Sequence, residues 1–231
     1  MEKYKLLARN NLSTIVVDYL KDKILSGDYV GGERIVETDV ANGLGISRAP
    51  VREGIKELVN EGLIRSIPRK GNFVAKFSME DIMEIFEIRL LLENSVLDII
   101  IEGNKLSAHD IAKLSEIVDE MVAIAQEEED IVRKTIKVNE KDIEFHSFLW
   151  QRSGSNRRMK ILQDLHFQIR RAMVIDTKLT ADLEKTARDH YDIIKYLECG
   201  DSAKCKQALK EHISIVKKML PKQMVSEEKI I

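Results

Sequence analysis

Apolar residues return at helical spacing once the chain passes Thr14, where Ile15, Val16, Tyr19, Leu20, Ile24 and Leu25 mark one face of a segment that Gly27 and Gly31-Gly32 end. This predicts a first helix over 14–26. A short second helix follows over 38–44, broken at Gly45 just before Ser47, a residue suited to cap a third. The third runs over about 48–61, with Val51, Ile55, Leu58 and Val59 facing inward, and Gly62 stops it. Two short apolar runs, 63–67 and 72–77, then flank Pro68-Arg69-Lys70-Gly71, a strand, turn, strand pattern. Three helices and a hairpin predict a winged helix-turn-helix over 1–77.

Beyond Ser78 the pattern turns helical and stays so, with breaks at Gly103-Asn104, around 128–130, at Gly154, near Lys178-Leu179 and at Gly200. Six helices are expected over 78–231, forming an antiparallel all-α bundle. Ser78 with Asp81 and Ser107 with Asp110 have the spacing of helix-opening boxes, a hydroxyl followed three residues on by a carboxylate. The acidic run 126–130 reads as a solvated helix end, and the tail 221–231 as frayed. The expected fold is mainly α, in two domains.

Composition fits this reading and narrows it. With 44% hydrophobic and 33% charged residues and only 3 Pro, the chain has the profile of a folded helical protein, neither disordered nor fibrous. It shows no signal-like apolar run at its start and no stretch of eighteen apolar residues, so a cytoplasmic, non-membrane protein is expected. Cys199 and Cys205 are too few for a disulfide framework or a thiolate zinc site and read as packing residues. The net charge of -2 hides an asymmetry. Up to Phe77 there are 13 basic against 10 acidic side chains, and beyond it 24 against 29. A basic first third on an acidic remainder suits a nucleic-acid-binding module joined to a domain that stays off DNA.

The segment from Val40 to Glu53 carries the chemistry that such a module needs. Ala41 is small where two helices must cross, Gly45 allows the turn, and Ser47, Arg48 and Arg52 place polar and basic groups at the start of the second helix of the motif. Pro50 lies in the first turn, where its missing N–H costs nothing. Arg48 and Arg52 are four apart and share a face from which guanidinium groups reach guanine edges or phosphates. Ile46-Ser47-Arg48-Ala49-Pro50-Val51-Arg52-Glu53, with Glu61-Gly62-Leu63-Ile64 and Gly71 in register, resembles the DNA-binding domain of the GntR family of bacterial regulators. The resemblance implies operator contacts along Ser47, Arg48, Ala49, Pro50 and Arg52, and at the wing residues Arg69, Lys70 and Gly71. One departure stands out: the family often places an Arg where this chain has Thr38, so a contact is lost there or the operator differs.

In the second domain Asp142 and His146 are four apart on one helix, with His190 and His212 on two others. A bundle can aim all four inward, as bundle metal sites do, although such a set taken alone is more often scattered chemistry. The order Asp142-x-x-Phe145-His146, Ser155-Asn156, Asp189-His190, Gly200-Asp201 and His212 resembles the FCD ligand-binding domain of the FadR subgroup. That resemblance implies that Asp142, His146, His190 and His212 hold a divalent metal ion: zinc, nickel, manganese or iron. It also implies that Arg89, in Phe86-Glu87-Ile88-Arg89-Leu90-Leu91-Leu92-Glu93, contacts the effector or bonds within the pocket. His109 and His166 fall outside the pattern. Six helices, not seven, imply the shorter, VanR-like branch.

The expected protein is a homodimeric transcription regulator, repressor or activator, that binds double-stranded operator DNA and responds to a small carboxylate effector. Two rivals remain from the sequence: a direct metal sensor, and a metal-dependent hydrolase, for which no general base is placed beside the ligands.

Overall fold

The structure, a computed structural model, describes residues 12–76, 78–180 and 182–213. Phe77, the first eleven residues and the tail 221–231 lie outside these. Contacts divide the chain into two compact units, with the boundary between Ser78 and Met79.

The first unit opens with α1 (Leu12–Ser26), whose Ile15, Val16, Val17, Leu20, Ile24 and Leu25 are buried. Next come β1 (Arg34–Ile35), α2 (Glu37–Leu44) and α3 (Arg48–Asn60), then β2 (Ile64–Ile67) and β3 (Gly71–Val74). Gly45 takes the left-handed conformation, φ 67°, at the end of α2, and the Ile46 N–H returns to the Ala41 carbonyl. Ser47 occupies the cap position of α3 without a side-chain capping bond. Val51, Ile55 and Leu58 face inward as expected, and Val59 is half-buried.

α1 packs on α3 across Gly54. A Cβ there would lie 2.8 Å from Val16 Cγ1 and 3.0 Å from the Ser13 carbonyl oxygen, so the crossing is possible only without a side chain. The sheet order is β1-β3-β2, antiparallel throughout, with Ile64 opposite Val74 and Ile67 opposite Gly71. β1 was not expected, because two residues are too short to show alternation. It is fixed by pairing Arg34 with Phe73 and by the burial of Ile35.

The second unit has seven helical segments among the described residues, where the sequence predicts six. They are α4 (Met79–Glu102), α5 (Ala108–Gln126), α6 (Ile131–Ser153), α7 (Asn156–Thr180), α8 (Leu183–Arg188), α9 (His190–Glu198) and α10 (Ser202–Ile213). The extra break is at Asp189. There the His190 ring, at 3.1 Å, bonds the carbonyls of Thr186 and Ala187, which an unbroken helix would give to backbone N–H groups. The helix count that pointed to the VanR-like branch is therefore seven.

α5 opens on the expected box, with Ser107 and Asp110 each bonding the other's backbone N–H. α6 is the hub, packed against α4, α5 and α7. α10 packs on α9 and α4. The acidic stretch between α5 and α6 is solvated and bonded from α6, with Lys137 on both Glu127 and Glu129. Cys205 is buried, as a packing residue should be, but Cys199 is exposed. It sits just past the last turn of α9, and its packing role does not hold.

Candidate functional site

On the first unit, Arg48 and Arg52 project from the first turns of α3 and are exposed. Both donate to one oxygen of Glu37, the first residue of α2: Arg48 through Nη2 at 2.9 Å and Arg52 through Nε at 2.8 Å. These bonds, the one from Arg48 foremost, hold the Glu37 carboxyl below its ordinary range. Thr38 is exposed beside them, its hydroxyl 3.4 Å from Asp39. Ser47 and Ala49 are exposed, while Pro50 is half-buried at the helix start.

At the wing tip the Lys70 N–H closes a turn onto the Ile67 carbonyl, with Pro68 and Arg69 in the middle and Arg69 at φ 65°. Arg69 and Lys70 are exposed, and Gly71, at φ 109°, begins the returning strand. The unit thus offers a line of cationic and small groups at the start of a helix, and a cationic loop.

In the second unit, α6 carries Thr135, Asn139, Asp142 and His146 at spacings of four, three and four, all buried on one face. α9 contributes His190 and α10 contributes His212, both buried. One ligand atom from each of Asp142, His146, His190 and His212 lies within 4.8 Å of those of the others. Asp142 Oδ1 is 3.2 Å from His190 Nε2 and 3.1 Å from His212 Nε2. His146 Nε2 is 3.3 Å from His212 Nε2. The structure therefore brings together all four residues that the sequence singled out for metal.

Outer contacts set the chemical form of these rings. His146 Nδ1 donates to Glu93 Oε2 at 2.5 Å, and His190 Nδ1 donates to the two α8 carbonyls. Each of those rings therefore turns Nε2 toward Asp142, as a lone pair whenever the ring is neutral. His190 Nε2 and Asp142 Oδ1 are both buried and have no hydrogen bond, although they are 3.2 Å apart. With a neutral His190 this pair is two lone pairs facing each other in a dry interior, an arrangement that a cation between them would satisfy. The donor set, three imidazole nitrogens and one carboxylate, fits a divalent ion.

Arg89 on α4 completes the cluster from the other side. It donates from Nε to Glu93 at 2.7 Å and from Nη2 to Asp142 at 3.2 Å, and it is fully buried. Burial works to raise the Glu93 carboxyl, but His146 and Arg89 more than offset it and bring it to about 2. Asp142, also opposed by burial, is held well below its usual range by His146 and Arg89. Burial lowers His146 and, with the neighbouring His190, pushes His212 down to about 3. At neutral pH His146 and His212 are thus neutral, the form that ligates metal.

Sequence reasoning gave Glu93 no role, although Arg89 and Glu93 at i,i+4 are a visible pairing signal. It also missed Asn139, one turn before Asp142, whose buried Nδ2 has no hydrogen-bond partner. His109 is exposed and His166 half-buried, apart from the cluster.

Comparison with known proteins finds a match for each unit of the chain. The model "Bacterial regulatory proteins, gntR family" matches residues 12–74, and the "FCD domain" model matches residues 84–214, more than half of the chain. The HTH-type transcriptional regulator YdhC of Bacillus subtilis is 27% identical over 195 residues, covering 84% of this chain and 82% of its own. The gluconate operon transcriptional repressor of the same organism is 34% identical over 128 residues, covering 54% of this chain and 51% of its own. Among solved structures, E. coli McbR/YncC superposes with a TM-score of 0.72 at 22% identity, over 93% of this chain and 99% of that one, which establishes the fold. The chain belongs to the GntR family of DNA-binding transcription regulators, in the group whose C-terminal half is an FCD domain.

Proposed function

We propose that the protein is a homodimeric repressor that reads a palindromic operator through Arg48 and Arg52 and senses a small organic acid at the Asp142 cluster. The observation that carries the sensing half is the buried face-off of Asp142 Oδ1 with His190 Nε2, which a divalent cation held by Asp142, His146, His190 and His212 would satisfy. Zinc, nickel, manganese and iron all suit this donor set. When bound, the cation supplies a positive centre on which an effector carboxylate can rest.

The chain's own groups supply the rest. Arg89 gives the effector a second cationic anchor by exchanging its bond to Asp142 for one to the incoming carboxylate. Asn139 Nδ2 offers a donor to another effector oxygen. Exchange at Arg89 loosens α4 from α6, a differential contact of the kind an effector needs in order to shift a conformational equilibrium. A relative named for a gluconate operon supports both repression and an acid as the signal.

On DNA, the start of α3 enters the major groove, with Ser47, Ala49 and Pro50 beside the two arginines and Thr38 facing the same duplex from α2. Arg69, Lys70 and Gly71 of the wing follow the neighbouring groove or backbone. One recognition helix covers few base pairs, so two copies related by a two-fold axis match a palindrome.

The test begins by selecting a duplex from a randomised library with the full-length protein. Its affinity is then titrated at fixed salt against a panel of small carboxylic acids, with and without chelator. Arg52→Ala is expected to lose about a hundredfold or more. At least one acid should weaken the parent about tenfold, and chelation should abolish that effect. Unchanged binding by Arg52→Ala would sink the reading face, and affinity that tracks metal but ignores every acid would replace acid sensing by direct metal sensing.

A further inference from the structure

Arg48 and Arg52 carry like charges, yet their guanidinium groups converge on a single atom, Glu37 Oε2. Glu37 comes from a different helix and is the least exposed of the three, with 22% of its side chain accessible against 53% and 59% for the arginines. It is thus the fixed member of the trio. The bond to Arg52 uses Nε, which leaves the paired Nη1 and Nη2 edge directed away from the carboxylate, and that edge is the one that forks onto a guanine or a phosphate. Arg48 is engaged through Nη2. A long arginine side chain otherwise samples many rotamers, and an unheld one settles on whichever phosphate is near.

We propose that Glu37 is a positioning residue for DNA reading, which clamps Arg48 and Arg52 in one orientation so that they discriminate base edges and do not simply grip the backbone. One half-buried carboxylate oxygen that receives both arginines orients two otherwise mobile charges together, in the way that supporting hydrogen bonds lock a binding group. The negative charge of Glu37 also opposes phosphate contact, so the residue costs some sequence-independent affinity while raising selectivity.

The inference rests on Arg48 and Arg52 being the DNA contacts. It is tested with full-length protein on two duplexes of equal length, the best one selected from a randomised library and a scrambled one, titrated over a range of salt. Glu37→Ala should bind the selected duplex about tenfold or more weakly, and the scrambled duplex equally or more tightly, so that the ratio of the two affinities collapses. Glu37→Gln keeps an oxygen able to accept both bonds without the charge, and should keep the ratio within about threefold of the parent. Thermal melts of both variants should match the parent.

A ratio unchanged in Glu37→Ala, whether both affinities rise or both fall, overturns the proposal. So does a Glu37→Gln that loses the ratio as fully as Glu37→Ala. Arg52→Ala on the same duplexes separates the two failures. If it binds both like the parent, the reading face itself is wrong; if it loses the selected duplex while Glu37→Ala keeps its ratio, only the role of Glu37 is.

Discussion

Two of this protein's arginine–carboxylate clusters lie in opposite surroundings. Arg48 and Arg52 share Glu37 while keeping 53% and 59% of their side chains in water, whereas Arg89, bonded to Glu93 and Asp142, keeps 2%. The first trio stands in water, with arginine edges left open to another anion. The second is sealed, and each member depends on the others to remain ionised in a dry interior. Mutating the exposed set should therefore cost binding and leave folding alone, while mutating the buried set should cost folding first.

The largest effect is expected where the buried set is broken. Glu93→Ala removes one of the carboxylates that Arg89 bonds and frees the His146 ring, and should lower unfolding free energy by about 3–5 kcal/mol in denaturant titration. A loss below about 1 kcal/mol would mean that the cluster is not coupled as the distances indicate.

Acid should act on the same region next. The ordinary histidine value is 6.5 and His212 lies at about 3 when folded, so the unfolded chain takes up a proton that the folded one refuses. This stabilisation is complete above about pH 6.5, weakens as pH falls, and is gone near pH 3. For chelated protein the slope from His212 alone is about 1.4 kcal/mol per pH unit between pH 6 and 4. Glu93, folded at about 2, adds a further loss below about pH 4.5. Unfolding titrations at pH 7.5, 5.5 and 4.5 check this, and a flat profile above pH 5 would place His212 in water.

Within the first unit, interior and surface should separate in the same way. Gly54→Ala drives a methyl into Val16 and the Ser13 carbonyl and should cost about 1–3 kcal/mol. Arg52→Ala, on the opposite side of the same helix, should change stability by less than about 0.5 kcal/mol while abolishing operator binding. Equal melting of Gly54→Ala and the parent would show that α1 and α3 can separate at no cost.

How much of this could be read from the sequence differs between the two regions. The helices of the winged unit follow from apolar spacing and glycines, and Arg48 and Arg52 stand out because a turn precedes them. Glu37 does not, because its link to residues 11 and 15 positions later depends on how α2 crosses α3, which no local pattern encodes. β1 has only two residues, and only its partner strand reveals it. In the second unit, Asp142 and His146 announce themselves through their i,i+4 spacing, but His190 and His212 join them only through bundle topology, which the family resemblance supplied. The break at Asp189 escaped because it arises from a side chain bonding its own preceding turn, with no glycine or proline to mark it. Cys199 was misplaced for a simpler reason: a helix end near Gly200 is where a small apolar residue most easily faces out.

The most direct test of the account is metal stoichiometry on the intact protein. Native mass spectrometry with elemental analysis should find about one divalent ion per chain in the parent, and none in the His190→Ala, His212→Ala double variant, with the parent's metal lost on prolonged chelation. Equal metal content in parent and double variant would contradict it, because the lone pairs that face Asp142 would then not be what holds the ion.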